Sequence, residues 1–415
     1  MRRTRTVNNM KIAFLSLKDM RTDFWSGIPQ AMVPALERQG AEVRVMGAVD
    51  RGALWWPRLK HHFYRRVTGR TYLQNRDDTV LRSYARRTES ELAGFPDADG
   101  VFTPFTATVA FLNTAKPVAF WHDSTFASLL DYYSGYESSA LCGETIRSGH
   151  RAELAAIRRA DLLVYASDWA ARKAIEFYHA DPAKVLVAPY GANLPEVPSE
   201  ESVEQMILQR TLSPLQFLII GGDWVRKGGE TAFQLVETLN QRGIPSTLHA
   251  VGARPEGLAA SSPFVRSYGR LNKNVPSEMA SLHGLLRFAN FLLLPSTAEC
   301  MGIVSCEANA FGVPVLSSRT GGIPTVVRDE VNGQTFDLPD MVPGACQFVE
   351  KLTANRPKYL ELCRSSYQEF KHRLNWDVST RRVLEVFSGV VKQKKAKVHV
   401  PLSASASKRA ALAAG

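Results

Sequence analysis

The feature that most constrains this chain is an alternation of short apolar runs with stretches of helical period, which breaks once near the middle and then resumes. Strands covered by helices on both faces are apolar along their whole length, so this alternation reads as parallel α/β units. In the first half it predicts strands at 11–17, 42–47, 100–103, 117–121, 162–166 and 185–188, with helices between them. The break is 189–199 (PYGANLPEVPS), rich in Pro and Gly and without period, which marks a linker. Beyond it, strands are expected at 216–221, 247–251, 265–268, 291–294 and 313–316, and helices near 229–242, 276–288 and 303–311.

The expected architecture is therefore α/β, with two Rossmann-like doubly wound domains facing across a cleft. Its 415 residues suit two domains of roughly 150–200 residues each. The expected boundaries are a disordered basic tail at 1–10, a first domain at 11–193 and a second at 194–375. A helix at about 376–395 is expected to return to the first domain, and 396–415, mostly Ala, Ser and Lys, reads as a flexible tail.

Apolar residues at 45% and charged residues at 22% exclude wholesale disorder and a membrane bundle. No apolar run approaches the ~20 residues that cross a bilayer, and the amino terminus lacks the cleavage pattern of a secretory signal. Five cysteines without metal-binding or disulfide spacing point to a reducing compartment, the cytoplasm by default. The formal charge of +11 suits an acidic partner: nucleic acid, an anionic membrane or a phosphorylated substrate.

Chemistry concentrates in 295–322, PSTAECMGIVSCEANAFGVPVLSSRTGG. Here Glu299 and Glu307 flank Gly302, between a buried strand and a helix. A strand, a glycine loop and a helix start aim free backbone N–H groups at one point, which makes an anion site best suited to a phosphate. The two carboxylates could then accept hydroxyls on either side of it, a pattern that fits a nucleotide sugar. Two glutamates at this spacing are common by themselves; the strand, loop and glycine around them carry the reading.

A second cluster, 221–229 (GGDWVRKGG), follows the first strand of the second domain and sets Arg226 and Lys227 at the carboxyl edge of the sheet, where open α/β sheets bind ligands. It does not match GxxxxGK[ST], and alone it reads equally well as two exposed bases at a turn. In the first domain, His122 and Asp123 end a strand at the equivalent edge, where a polar substrate or a proton could be handled. Gly27, in DFWSGIP after the first strand, lets a ligand approach the backbone. No GxGxxG is present, which weakens a nicotinamide or flavin reading.

With these motifs in order, together with ADLLVYASDWAARKA and VAPYGAN, the sequence resembles the family 4 retaining glycosyltransferases of the GT-B fold over roughly residues 10–385. The resemblance implies that Arg226 and Lys227 hold the donor pyrophosphate and that Glu307 binds the ribose. It assigns the transferred sugar and its adjacent phosphate to Glu299 and the backbone of Met301, Gly302, Ile303 and Val304, with His122 approaching from the other domain. Three departures bear on sugar and acceptor: Met301 replaces an aromatic, Ser26 replaces the first of two glycines, and Thr325 stands where Glu often follows GGIP.

By this likeness no cofactor or metal is needed: a UDP- or GDP-linked sugar is the substrate, and the leaving phosphate takes the proton of a glycan, lipid-linked or small-molecule acceptor. An inverting reaction would need a base, for which Asp123 is the candidate. Asp97 and Asp99 match a DxD metal pattern but precede a strand and read as a polar turn. An epimerase or phosphorylase on the same fold, and a non-catalytic nucleotide-sugar or glycan-binding protein, are the alternatives. The segment 51–87, with Trp55, Trp56, Phe63, Tyr64 and Tyr72 among many bases, leaves two readings open: peripheral binding to the inner face of an anionic membrane, or a solvated helix with its aromatics packed inward. Nucleic acid is disfavoured, because no recognition motif accompanies the charge.

Overall fold

A computed structural model describes residues 9–21, 24–47 and 55–398. Strands β1 (Lys11–Leu15), β2 (Glu42–Met46), β3 (Gly100–Thr103), β4 (Val118–His122), β5 (Leu162–Tyr165) and β6 (Val185–Val187) form a parallel sheet in the order β2-β1-β3-β4-β5-β6. Its helices are α1 (Ile28–Arg38), α2 (Trp55–Thr68), α3 (Asp78–Ala93), α4 (Phe126–Leu129), α5 (Gly143–Arg159) and α6 (Asp168–Tyr178). Strands β7 (Leu215–Gly221), β8 (Ser246–Gly252), β9 (Val265–Gly269), β10 (Phe291–Leu294), β11 (Val315–Ser318) and β12 (Gly333–Phe336) form a second parallel sheet, β12-β11-β10-β7-β8-β9. Around it lie α7 (Glu200–Gln209), α8 (Gly229–Gln241), α9 (Pro276–Phe288), α10 (Val304–Asn309), α11 (Ile323–Val326), α12 (Met341–Thr353) and α13 (Arg356–His372). The last described helix is α14 (Trp376–Val398).

Side chains alternate across each strand, so the first sheet feeds two cores. Phe14, Phe102 and Trp121 pack with α1, while Leu15, Phe120 and Tyr165 pack with α3, α5 and α6. The α1 face is completed by α14: Phe387 meets Phe102 edge-on at 5.9 Å, and Arg38 pairs with Asp377 at 2.8 Å. Helix starts are set locally. Asp77 accepts the N–H groups of Thr79 and Val80 at the head of α3, and Ser167 accepts that of Ala170 at the head of α6.

The chain crosses between domains twice, at one place. The linker after β6 passes over the start of α14, where any side chain at Gly191 would collide with the backbone of Trp376. Trp376 stacks on Tyr190 at 5.5 Å and donates its indole N–H to Asn193 Oδ1 at 2.9 Å.

Each expected strand has its counterpart, with shifts at the edges. The run expected at 313–316 forms β11 two residues later, since Pro314 has no N–H for a ladder. β12 was not anticipated: GQTF is short and polar, and only its pairing with β11 makes it a strand. Met10, assigned above to a tail, is buried, and its carbonyl accepts Glu42 N–H at 2.9 Å. Helix α14 continues past 395 to Val398. The rest of both expected tails, 1–8 and 399–415, lies outside the described residues, as does Asp23.

Candidate active site

The second sheet reverses its winding between β7 and β10, and the site lies off the carboxyl ends of these two strands, where the crevice of a doubly wound sheet opens. The β7–α8 turn supplies the cations. Gly228 has φ +70°, and a side chain there would strike the carbonyl of Pro295, so only glycine lets the turn lie against the loop after β10. Thr297 N–H then donates to Arg226 O at 2.9 Å, and Arg226 Nη1 donates to Ala298 O at 3.0 Å. Lys227 and Glu299, both buried, form an ion pair, and Arg226 Nη1 stands 3.5 Å from the same carboxylate oxygen. Arg226 Nε also stands 3.6 Å from Asp223 Oδ2, so the two cations face two carboxylates at this corner.

Gly302, at φ +79°, turns the next loop; a side chain would come within 2.9 Å of Leu294 Cδ2. Ile303 caps α10, which starts at Val304 and ends at Asn309, shorter than expected at both ends. Met301 is turned to the linker, its sulfur accepting Tyr190 N–H at 3.3 Å. Glu307 is wholly buried. Lys273 pairs with its Oε1 and also donates to Asn193 O at 3.3 Å, while Oε2 has no partner. An unsatisfied buried carboxylate oxygen is costly, and a ligand hydroxyl is the kind of group that satisfies it.

Across the cleft, His122 ends β4. Its Nδ1 lies 2.9 Å from Pro104 O; a carbonyl only accepts, so Nδ1 carries the proton and Nε2 offers a lone pair. Burial pushes the His122 pKa down to about 4, which keeps the ring neutral near pH 7. Burial pushes Asp123 up to about 6, against a hydrogen bond from Ser124, and the charge of Glu299 adds to the rise. Trp25, Ser26 and Gly27 follow one another at φ 48°, 55° and 73°, so all three take a left-handed backbone. This turn sets the Trp25 ring 5.1 Å from that of His122, and Asn193 Nδ2 donates to Ser26 O at 2.6 Å.

Contacts from Tyr132, Tyr133 and Asp168 join the two halves, and the two tyrosines had no sequence signal. The Tyr132 hydroxyl accepts Glu299 N–H at 2.8 Å and donates to Glu299 O at 3.2 Å, and the Tyr133 ring lies 4.9 Å from the Arg226 guanidinium. Asp168 N–H donates to Thr325 Oγ1 at 2.9 Å, and that hydroxyl donates back to Asp168 Oδ2 at 3.0 Å. Gly321 and Gly322 permit the approach: side chains there would strike the Glu299 and Cys300 carbonyls. Asp97 and Asp99 sit at the opposite, amino-terminal edge of the first sheet. Lys11 pairs with Asp97, Lys395 pairs with Asp99, and Lys11 N–H donates to Asp99 Oδ2 at 2.8 Å. The 51–87 segment divides: Tyr72 is buried with Tyr64 stacked on it at 5.6 Å, whereas Trp55, Trp56 and Phe63 are exposed. Residues 51–54 lie outside the described residues.

Residues 214–355, which carry Arg226, Lys227, Glu299 and Glu307, match the family described as "Glycosyl transferases group 1". Over these residues the second domain is similar to the group 1 glycosyltransferases. Among curated relatives, the D-inositol 3-phosphate glycosyltransferase of Xylanimonas cellulosilytica is 27% identical over 251 residues, 58% of this chain and 60% of that protein. Its Mycobacterium avium namesake is 26% identical over 241 residues, 57% of each chain. The match thus spans less than two thirds of these relatives' lengths. Over the whole molecule the second domain sits within a GT-B fold. The sucrose-phosphate synthase of Thermosynechococcus elongatus superposes with a TM-score of 0.67 at 17% identity, covering 92% of this chain and 100% of that one. Anabaena HepE in complex with UDP gives 0.59 at 15% identity, covering 92% and 100%.

Proposed function

We propose that this chain is a retaining glycosyltransferase that moves a hexose-type sugar from a nucleoside diphosphate to an acceptor hydroxyl. The observation that carries the reading is the meeting of Arg226, Lys227 and Glu299 at the switch point, beside the unpartnered oxygen of buried Glu307. In this reading the two cations bind the diphosphate and Glu307 Oε2 takes a ribose hydroxyl. Glu299 and the backbone from Met301 to Val304 hold the sugar and its adjacent phosphate, and His122 Nε2 accepts a hydroxyl from the sugar's other side.

The bond between the anomeric carbon and the phosphate oxygen breaks, and the acceptor oxygen bonds to the same face of the sugar. The acceptor's proton passes to the leaving diphosphate, so no protein nucleophile is required. Charge grows on that diphosphate in the transition state, where Arg226 and Lys227 stabilise it most. Asp97 and Asp99 lie at the far edge of the sheet and hold lysines, so metal assistance from that pair is not part of the mechanism.

UDP-glucose is the first donor to test, because the HepE complexes contain UDP and glucose. D-inositol 3-phosphate, named for the curated relatives, and a lipid-linked sugar are the first acceptors. The experiment follows nucleoside diphosphate release with and without acceptor, in excess EDTA, and reads the product's anomeric configuration by NMR. Acceptor-dependent release with retention is expected. An inverted linkage would shift the chemistry to Asp123, a requirement for free phosphate would mark a phosphorylase, and activity restored only by Mg²⁺ would reject the metal-free mechanism.

A further inference from the structure

Helix α2 is held to the first domain by one side only. Pro57 is buried, Lys60 reaches Asp77 at 3.3 Å and also pairs with Glu144, and the Tyr64 hydroxyl donates to Glu144 at 2.9 Å. His61 Nδ1 lies 2.9 Å from the Tyr72 carbonyl, to which it donates. The outer side is apolar. Trp55, Trp56, Leu59, Phe63 and Val67 are each at least half exposed. At about 100° per residue they fall within an arc of about 120°, a continuous stripe along the helix. Single exposed apolar residues need no explanation, but a stripe of five with two tryptophans does.

The charges beside the stripe identify what it fits. Helix α2 contains no acidic residue, and Arg58, Arg65, Arg66 and Arg70 are exposed. By the same angular spacing, Arg58 and Arg65 line one flank of the apolar arc, Arg66 falls inside it two turns beyond Leu59, and Arg70 follows just past the helix end. An apolar face edged by arginines, with tryptophans at one end, is the pattern of a helix lying in a bilayer interface with cations toward anionic headgroups. A protein partner would have to offer an apolar groove rimmed by acids; a bilayer offers both layers along its whole surface. No described helix is long and apolar enough to cross a membrane, so the contact is with its surface.

We propose that the outer face of α2 docks the protein on an anionic lipid surface, with Trp55, Trp56, Leu59, Phe63 and Val67 entering the interface and the flanking arginines pairing with headgroups. This inference goes beyond the transferase reading, and its test reads binding alone.

The full chain is co-sedimented with phosphatidylcholine vesicles and with vesicles containing phosphatidylglycerol, at low and high salt. Binding is expected only to the anionic vesicles and is expected to weaken with salt. The paired substitution Trp56→Ser with Phe63→Ser, both exposed, should reduce vesicle affinity by about tenfold or more without changing the melting temperature. Arg58→Glu with Arg65→Glu should do the same through the charge. The proposal is overturned if the parent binds neither vesicle, if neutral and anionic vesicles bind it equally, or if the Trp56/Phe63 variant binds like the parent. A parent dimer, seen by analytical ultracentrifugation and broken by the same pair, would assign the stripe to a second copy instead and also overturn it.

Discussion

At the scale of single residues, Glu307 and Asp123 carry the sharpest tests. Glu307 Oε2 is buried and unsatisfied, so its contribution should appear when a donor arrives. Glu307→Ala is expected to weaken nucleotide-sugar binding by about 1–3 kcal/mol, measured by titration calorimetry; unchanged affinity would remove it from the ribose site. Asp123, raised to about 6 by burial, titrates near ~3.9 in an unfolded chain. Its folded pKa is the higher, so its stabilising effect is complete below ~4 and lost as pH rises through about 6. Asp123→Asn should therefore match the parent near pH 4 and exceed it above pH 7, by roughly 3 kcal/mol in denaturant melts. A variant no more stable at high pH than at low would contradict the buried-carboxyl account. The cations and carboxylates of the second domain were legible because each lies on a short motif beside a strand end. Tyr132 and Lys273 were not: Tyr132 meets Glu299 across 167 positions of sequence, and Lys273 meets Glu307 across 34. Only the folded sheet brings them together.

At the scale of elements, legibility followed burial. FLLL at β10 is buried at every position and announces itself, whereas GQTF at β12 borrows its strand character from a neighbour. The turn before α1 was read from Gly27 alone, and the two residues before it share its left-handed backbone. Ser26→Gly should relieve that strain and raise stability by about 1 kcal/mol, measured by thermal or chemical melts; a loss would mean the serine side chain holds the turn. The glycine pair before α11 predicts the reverse. A methyl group at Gly322 would collide with the Cys300 carbonyl and crowd Ser167, so Gly322→Ala should destabilise the protein by about 1–3 kcal/mol and slow transfer. Normal stability and rate would show that the two loops part easily.

At the scale of the molecule, α14 closes a face of the first sheet although nearly all of the second domain lies between them in sequence. Removing residues from Trp376 onward uncovers Phe102 and Trp121, and the expected outcome is early, separate melting of the first domain in calorimetry while the second keeps its transition. One unchanged transition would show that α14 is dispensable. The same arrangement orders events during synthesis. Domains generally form as they leave the ribosome, from the amino terminus onward. Here the domain made first lacks its last helix until the chain has been translated through 398, so the domain made second can close before it does. Throughout that interval Trp121 and Phe102 stay uncovered, and the nascent first half has an apolar face that a chaperone could hold.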